Sequence, residues 1–370
     1  MKRYTVQMVK EGRRKYYYIQ DSESYEIVPL ASKYLMHKIR TNRSPNTVKR
    51  AAFPISYYLN YLTELHMNYT DVLALNFRDQ SEHFIGFLYW LKNRKHVEEL
   101  RHINNATCNA YLSEVFRFYL FMAASEEKMT GLKVLYAGQY DTHSSAGMAK
   151  KIFFKSFDGY LDEEERDVRP AEHAEILEVL KACTNCRDQV LLLILAETGF
   201  RIGELLGVDY LRDIDYRNHM IRVSFRADNE NEARAKNAEY RKAKISNETF
   251  DFLMYYMSEY KELLASQDYL FVNIAGPTKG RPLKRDSVYD MLDRMEKKTG
   301  VDLTPHMLRR YFADMRRKDG WRLELIQQAL GHKNLETTIR YLKICDDEMI
   351  KASQEFYQRN AALYDVGNLL

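Results

Sequence analysis

The chain has 370 residues and a formal net charge of +4, so its length favours two domains with separate cores, while its charge alone does not indicate a nucleic-acid partner. The longest apolar run, Val190 to Ala196, is far shorter than the roughly 20 residues that span a bilayer, and the first residues lack a signal-peptide core, so we expect a soluble, cytoplasmic protein. Four cysteines are too few for a disulfide framework, and the lone CxxC pair, Cys183 and Cys186, lacks the second pair that structural zinc needs, so we expect reduced thiols and no metal.

The N-terminal part of the sequence begins with a predicted β-hairpin and continues as helices. Residues 3–20 contain two β-rich runs separated by EGRR, which is typical of a hairpin. From about residue 27 to residue 127 the apolar spacing is helical, and Ser44 and Asn104 each precede a helix start. We therefore predict an N-terminal hairpin arm, residues 1–26, and an all-helical domain, residues 27–130.

A change in composition separates this part from a second block. Residues 131–168 combine scattered glycines with the acidic run DEEERD, which predicts an interdomain linker. A second domain, residues 169–345, follows. Its predicted elements are helices at 170–182, 186–197 and 203–207, strands at 219–227 and near 240–245, and helices from residue 247 onward.

Basic residues form three local clusters that are candidates for contact with phosphate groups. The first surrounds a helix start near residues 40–50, the second lies at residues 92–96, and the third at residues 150–155. A solvated surface is the alternative explanation for each cluster. The candidate phosphate contacts are Arg43, Lys49, Arg50, Lys92, Arg94, Lys95, Lys150, Lys151 and Lys155.

The first motif with a chemical implication is ETGFRIGELLGV, residues 197–208. A buried helix is predicted to stop at Gly199, and the chain then exposes Arg201 before a short helix. Glu204 follows Arg201 by three residues and can orient its guanidinium. An arginine at a helix start is more often a surface ion pair, so this motif needs further support.

The second motif is LTPHMLRRYFADMRR, residues 303–317. Thr304 suits a helix N-cap and Pro305 the first helical position, which places His306 in the first turn and Arg309 on the same face. A helix N-terminus favours anions. Arg310 lies about 100° away from that face and is predicted to face solvent or DNA.

The third motif is LGHKNLETTIRYL, residues 330–342. Gly331 is predicted to cap an amphipathic helix over residues 323–330, which leaves His332 in the turn. Asn334 can cap the next helix, and Tyr341 lies about two turns along it. Because the chain has 28 tyrosines, Tyr341 is a candidate only in combination with the other two motifs.

Taken in order, Arg201, His306, Arg309, His332 and Tyr341 resemble the Arg…Lys…His-x-x-Arg…His…Tyr box of the tyrosine recombinase (phage integrase) family. The segments LFVN, GRPL and IQQALGH also fit this family, and the resemblance extends from about residue 167 to residue 342. It implies a mainly α fold with a small β component, in which a helical core-binding (SAM-like) domain is followed by a mixed α+β catalytic domain.

The family's lysine lies on a β-hairpin between the first arginine and His-x-x-Arg. Lys236 precedes Arg241 at the spacing that family members show, so the resemblance favours Lys236, with Lys242 and Lys244 as alternatives. The insert DNENEARAK in this hairpin is also similar to integrase-type transposases of site-specific transposons.

The chemistry of phosphodiester cleavage agrees with this resemblance. Two arginines, Arg201 and Arg309, can fork onto the non-bridging oxygens, which removes the need for a metal or other cofactor. His306 can accept the proton of the nucleophile Tyr341, and Lys236 can protonate the leaving 5′-oxygen. His332 is expected to donate a hydrogen bond to the phosphate.

The resemblance therefore implies a site-specific recombinase of a mobile element that acts on a specific double-stranded DNA site as a homotetramer, with accessory recombinases or directionality factors as further partners. Xer-like resolution of chromosome or plasmid dimers and type IB topoisomerase-like relaxation are the alternatives. Met349, Phe356 and Leu363 form an apolar stripe at heptad spacing on a last helix, residues 346–370. This helix either folds back on its own chain or docks on a neighbouring protomer.

Overall fold

Two units with separate hydrophobic cores make up the chain, Met1–Arg166 and Asp167–Leu370. The computed structural model describes residues 3–11, 14–93, 103–125, 131–135, 139–143, 149–153, 157–163, 168–224, 226, 229–231, 241–332, 335–339, 354–355 and 358. Within these ranges, no helix has both the length and the apolar character that crossing a membrane requires.

The first unit combines two hairpins with a group of helices. Its strands are β1 (Tyr4–Glu11), β2 (Arg14–Asp21), β3 (Gln139–His143) and β4 (Ala149–Phe153), and its helices are α1 (Pro29–Arg40), α2 (Pro45–Glu64), α3 (Tyr69–Ala74), α4 (Phe77–Asn93) and α5 (Asn105–Ser125). Strands β1 and β2 pair antiparallel from Tyr4 opposite Asp21 to Glu11 opposite Arg14. The predicted N-terminal hairpin is confirmed.

The helix starts in this unit follow the polar residues that the sequence indicated. The Ser44 side chain accepts a hydrogen bond from the backbone N–H of Thr47 at the start of α2. Asn104 accepts one from the N–H of Thr107 at 2.7 Å beside the start of α5. Both side chains satisfy a backbone donor that has no partner within its own helix, which explains why the helices begin there.

The core of the first unit is rich in aromatic side chains that keep their polar atoms paired. Tyr58 is fully buried, and its hydroxyl hydrogen-bonds to His83 at 2.9 Å and to Tyr119 at 2.8 Å. A buried hydroxyl without such partners would destabilise the fold. Burial also lowers the pKa of His83 to about 4, so this imidazole is neutral inside the core.

The segment that the sequence predicts as a linker, residues 131–168, belongs to the first unit up to residue 166. Strands β3 and β4 pair antiparallel within it. Val134, Leu135 and Phe157 are buried in the unit's core, and the Phe157 ring lies 5.4 Å from that of Phe116. Val134 and Leu135 stand in a short apolar run and Phe157 lies between Ser156 and Asp158, so the glycines and charges of the segment concealed their packing.

The second unit combines a three-stranded antiparallel sheet, in the order β5–β6–β7, with nine described helices. Its strands are β5 (Ile214–Asp215), β6 (Met220–Val223) and β7 (Arg241–Lys244), and its helices are α6 (His173–Ala182), α7 (Cys186–Thr198), α8 (Ile202–Leu205), α9 (Asn247–Glu259), α10 (Lys261–Leu264), α11 (Arg285–Thr299), α12 (Pro305–Lys318), α13 (Leu323–Leu330) and α14 (Leu335–Ile339). The mainly helical fold with small sheets agrees with the predicted fold class.

Three helix termini in this unit are formed as the motifs predict. Gly199 ends α7 and Gly331 ends α13, both in the left-handed conformation with φ values of 62° and 63°. Thr304 caps α12 by accepting from the N–H of Met307, and Pro305 occupies the first helical position. The caps fix the positions of Arg201 and His332 just after a helix end and of His306 in the first turn of α12.

Candidate active site

Arg201 begins the short helix α8, where a buried carboxylate holds it. A Cβ added at Gly199 would lie 2.6 Å from the ring of Phe312, so the turn before Arg201 requires glycine. The backbone N–H of Arg201 donates to Glu204 Oε2 at 2.7 Å, and its Nη1 donates to Oε1 at 3.0 Å. The side chain of Glu204 is 5% exposed and that of Arg201 is 27% exposed, so a fixed carboxylate supports a guanidinium that reaches the surface.

Arg309, on α12, is 1% exposed and joins the ends of two other helices. Its Nη1 donates to the carbonyl of Gly199 at 2.5 Å, and its Nη2 donates to the carbonyl of Leu330 at 2.6 Å. Nη2 also lies 3.0 Å from Nε2 of His332. A buried charge is costly without such acceptors, and here they bring the ends of α7 and α13 onto one guanidinium.

The neighbours of His332 determine its tautomer. Because a guanidinium can only donate, Nε2 of His332 accepts from Arg309, and the ring proton lies on Nδ1. That Nδ1–H donates to Oγ1 of Thr338 at 3.0 Å. Burial and the charges of Arg309, Arg201 and Arg241 lower the pKa of His332 to about 3, so the imidazole is neutral at physiological pH.

His306 occupies the first turn of α12, close to the same arginines. Its side chain is exposed, yet partial burial of the ring and the charges of Arg310, Arg309 and Arg201 lower its pKa below the usual value. A neutral imidazole can accept a proton, whereas an imidazolium cannot. The geometry thus provides a proton acceptor beside three guanidinium groups.

Arg241, at the first position of β7, belongs to this cluster although the sequence did not predict a role for it. Its Nη2 forms an ion pair with Glu204 Oε2, and its Nη1 donates to the carbonyl of Leu330. Its guanidinium also lies 5.1 Å from the centre of the Phe200 ring. The sequence feature that could have indicated a role for Arg241 is its position five residues after Lys236. This spacing served only to choose Lys236 among the candidate lysines.

The prediction that Arg310 faces solvent or DNA is wrong. Arg310 is 9% exposed, and its Nη1 donates to the backbone carbonyl of Val168. The backbone N–H of Ala171 also donates to the carbonyl of Met307, at 3.2 Å. The helical spacing correctly places Arg310 on a different face of α12 from Arg309. The first residues of the second unit cover the face that carries Arg310, so this side chain is not exposed.

Several predicted site residues lie outside the described part of the chain. They are Lys236, Tyr341, Arg94, Lys95 and Lys155, as well as Asn334 and the stripe Met349, Phe356 and Leu363. Lys150 and Lys151 are described only as backbone positions of β4. The alternative lysines, Lys242 and Lys244, are exposed on β7.

The basic residues of the first cluster are exposed around the start of α2. Arg43 lies between α1 and α2, and Lys49 and Arg50 lie in the first turns of α2. Lys92, of the second cluster, is half-buried near the end of α4. Exposure leaves the first cluster accessible to a phosphate backbone.

A cavity of about 1130 Å³ opens beside His332 in the second unit. In the described part of the chain, its wall contains several basic side chains and one acidic side chain, that of Glu197. The Glu197 carboxylate accepts hydrogen bonds from the hydroxyl groups of Ser246 and Thr249. The basic members are Arg222, Arg241, Lys242, Lys244 and Arg316. This balance of charge favours an anionic partner. Among the residues described, no group of three or more His, Cys, Asp or Glu side chains is placed to hold a metal ion.

Comparison with known proteins identifies the family in which the three motifs occur together. The model of the phage integrase family matches residues 166–348, which include all three motifs and the hairpin between them. The chain belongs to the tyrosine recombinase (phage integrase) family. It is therefore an enzyme, a tyrosine-type site-specific recombinase.

Individual relatives of this recombinase differ in how much of the chain they match. Transposase A from transposon Tn554 of Staphylococcus aureus is 27% identical over 374 residues, covering 96% of this chain and 98% of that protein. Tyrosine recombinase XerA of Saccharolobus solfataricus is 34% identical over 184 residues, covering 50% of this chain and 55% of that protein. The likeness to the transposase thus includes both units.

Solved structures share the fold of the recombinase. The Tn1549 transposon integrase in complex with a circular intermediate DNA has a TM-score of 0.57 at 17% identity, covering 88% of this chain and 98% of that one. The XerH site-specific recombinase bound to a palindromic difH substrate has a TM-score of 0.56 at 17% identity, covering 86% and 80%. At these identities the similarity establishes the fold.

Proposed function

We propose that this recombinase cuts one DNA strand by attack of the Tyr341 hydroxyl on the scissile phosphorus. The bond from phosphorus to the 5′-oxygen breaks, leaving a 3′-phosphotyrosyl enzyme and a free 5′-hydroxyl. The reverse attack by a 5′-hydroxyl rejoins a strand and releases the tyrosine. Because the phosphotyrosyl bond keeps the energy of the phosphodiester, rejoining needs no nucleotide cofactor.

The cluster of Arg201, Arg309 and His332 carries this proposal. Arg201 is held by Glu204 but remains 27% exposed, so it can fork onto the non-bridging oxygens of a phosphate. Arg309 lies at 3.0 Å from His332 and adds a second guanidinium to the same place. Two fixed positive charges stabilise the negative charge that develops in the transition state.

Proton transfers in the proposed reaction are assigned to two further side chains. His306 accepts the proton of Tyr341, a role supported by its lowered pKa. Lys236 donates a proton to the leaving 5′-oxygen. Both ring nitrogens of His332 are engaged in the arrangement described here. His332 donates to the phosphate once Arg309 exchanges its hydrogen bond from Nε2 to the phosphate and the ring proton moves to Nε2, which leaves Nδ1 to accept from the Thr338 hydroxyl.

DNA is the proposed substrate of the whole chain, with contacts from the helical first domain and from the catalytic domain. The exposed residues Arg43, Lys49 and Arg50 are proposed to contact phosphate groups, which position the protein but do not read sequence. The last helix, residues 346–370, is proposed to join neighbouring protomers in a tetramer on two synapsed sites.

A role in a mobile element is supported by the match to the Tn554 transposase, which extends over 96% of this chain. Resolution of chromosome or plasmid dimers is the second candidate, supported by 34% identity to XerA over 184 residues. Recombination assays on two-site plasmids distinguish them. A mobile-element enzyme excises the segment between its own ends and inserts it at a separate target, whereas a dimer resolvase recombines two copies of one site.

Covalent trapping tests the central chemistry. A library of duplexes first identifies the sequence that the wild-type protein cleaves, and a nicked half-site with that sequence then captures the adduct on a denaturing gel. Tyr341→Phe should abolish the adduct and bind the half-site as wild type does, because only the nucleophilic hydroxyl is lost. Tyr255→Phe, at an exposed position of α9, is the matched control and should retain the adduct. An adduct formed by the Tyr341 variant would show that another residue is the nucleophile.

A further inference from the structure

Arg241 stands where the hairpin strand β7 begins and contacts two separate parts of the site. Its side chain is 9% exposed, and its guanidinium is held by the Glu204 carboxylate, by the Leu330 carbonyl and by the ring of Phe200. One planar group therefore connects α8 with the end of α13. A contact set of this kind fixes geometry, because Nη1 and Nη2 each have a defined acceptor.

The first connection acts on Arg201 through the carboxylate that they share. Glu204 Oε1 accepts from Arg201 Nη1, whereas Oε2 accepts from the Arg201 backbone and from Arg241. Without Arg241, the negative charge of this buried carboxylate would act on Arg201 alone. With Arg201, Arg241 and Arg309 opposing one carboxylate, the cluster keeps a net charge of +2 towards a phosphate.

The second connection acts on the corner that carries His332. The carbonyl of Leu330, the last residue of α13, accepts from both Arg309 and Arg241. Gly331 then turns the chain in the left-handed conformation, and His332 follows at once. Two guanidinium groups on one carbonyl hold this corner against α12 and β7 together.

We infer that Arg241 is a positioning residue that holds the phosphate-binding groups Arg201, Arg309 and His332 in register with one another. The inference rests on the proposed function, in which these groups bind the scissile phosphate. Arg241 acts through Glu204 and Leu330, whose acceptors it shares with the two phosphate-binding arginines. Its loss therefore weakens charge stabilisation in the transition state and leaves protonation of the leaving group unchanged.

A pair of substrates with different leaving groups tests this assignment. One half-site has the natural 5′-oxygen at the cleaved bond, and the other has sulfur there, a 5′-bridging phosphorothiolate. A thiolate leaves without a proton because thiols are far more acidic than alcohols, so sulfur rescues the loss of a general acid. Lys236→Ala should be slow on the oxygen substrate and close to the wild-type rate on the sulfur substrate.

Arg241→Met should instead form the covalent adduct about 10- to 100-fold more slowly on both substrates, the range typical of residues that support a site indirectly. Arg241→Lys should be slowed less, by about 10-fold on both, because one ammonium keeps the charge but cannot bind both acceptors. Half-site binding should remain within about twofold of wild type, since the basic clusters that contact phosphates are unchanged.

Arg226 provides a matched structural control. It also binds a buried carboxylate, that of Asp213 at 2.6 Å, and a backbone carbonyl, that of Gly207 at 3.0 Å, but it lies outside the arginine and histidine cluster. Arg226→Met should lower thermal stability as Arg241→Met does, yet cleave both substrates at close to the wild-type rate. Equal losses of cleavage in the two variants would assign Arg241 a purely structural role.

Two other results overturn the inference. If Arg241→Met cleaves the oxygen substrate as fast as wild type, Arg241 positions nothing that the reaction needs. If sulfur rescues Arg241→Met as it rescues Lys236→Ala, Arg241 acts on the leaving-group side. If Arg241→Met does not fold, the cleavage rates of Arg241→Lys on the oxygen and sulfur substrates test the inference by the same two criteria. Failure of the wild-type protein to form any adduct would reject the proposed function itself, and not only this inference.

Discussion

Lysine substitution of the two phosphate-binding arginines should have the same effect on cleavage and unequal effects on stability. An ammonium is a point charge that cannot reproduce a two-pronged contact with phosphate oxygens. We therefore expect Arg201→Lys and Arg309→Lys each to slow adduct formation by on the order of 10²-fold or more. This part of the prediction follows from the proposed chemistry alone.

The difference in stability follows from the contacts of the two side chains. Arg309 is 1% exposed and supplies donors to the Gly199 carbonyl and to His332, whereas the Leu330 carbonyl keeps a second donor in Arg241. Two buried acceptors that lose their donor cost about 2 to 4 kcal/mol together. Arg201 keeps its charge pairing with Glu204 as lysine, so at 27% exposure the cost should stay below about 1 kcal/mol.

Thermal unfolding and single-turnover cleavage measure the two effects separately. For a unit of about 200 residues each kcal/mol shifts the midpoint by roughly 2 to 4 °C, so Arg309→Lys should melt about 4 to 16 °C below wild type and Arg201→Lys within about 4 °C of it. Cleavage is compared at a temperature where both variants are folded. Wild-type stability in Arg309→Lys, or a wild-type cleavage rate in Arg201→Lys, would refute the reasoning.

Three further predictions concern metal, pH and the C-terminal segment. Wild-type cleavage should be unchanged by EDTA, because guanidinium groups supply the positive charge; activity lost in EDTA and restored by Mg²⁺ would contradict this. Because folding lowers the pKa of His332 from 6.5 to about 3, its contribution to stability is present above pH 6.5 and is lost as the pH falls towards 3. Between pH 7.5 and 5, wild type should therefore lose up to about 2 kcal/mol relative to His332→Asn in denaturant unfolding, and parallel losses would reject this account. Deleting residues from Glu348 onward removes Met349, Phe356 and Leu363. The truncated chain should bind the half-site as before, but it should form fewer tetramers in sedimentation experiments and exchange strands more slowly. If the truncated chain assembles and recombines like the full-length chain, the helix folds back on its own chain or has no role in assembly.

Local signals in the sequence were sufficient wherever a short segment satisfies its own backbone. Gly199 and Gly331 end helices because their left-handed conformation is easily reached only by glycine, and Thr304 with Pro305 starts α12 by capping it. The order and spacing of the three motifs also identified the family before any fold was known. Arg201, His306 and His332 could therefore be predicted as members of one site.

Contacts between distant segments were decided only by the tertiary structure. Arg310 is adjacent to Arg309 in sequence, yet it is buried against Val168 because the start of the second unit covers that side of α12. Arg241 reaches Glu204 and Leu330, which are 37 and 89 residues away along the chain. Helical and strand periodicity describe one element at a time, so they cannot indicate which distant carboxylate or carbonyl will accept a buried guanidinium; packing of the second unit's core makes that choice.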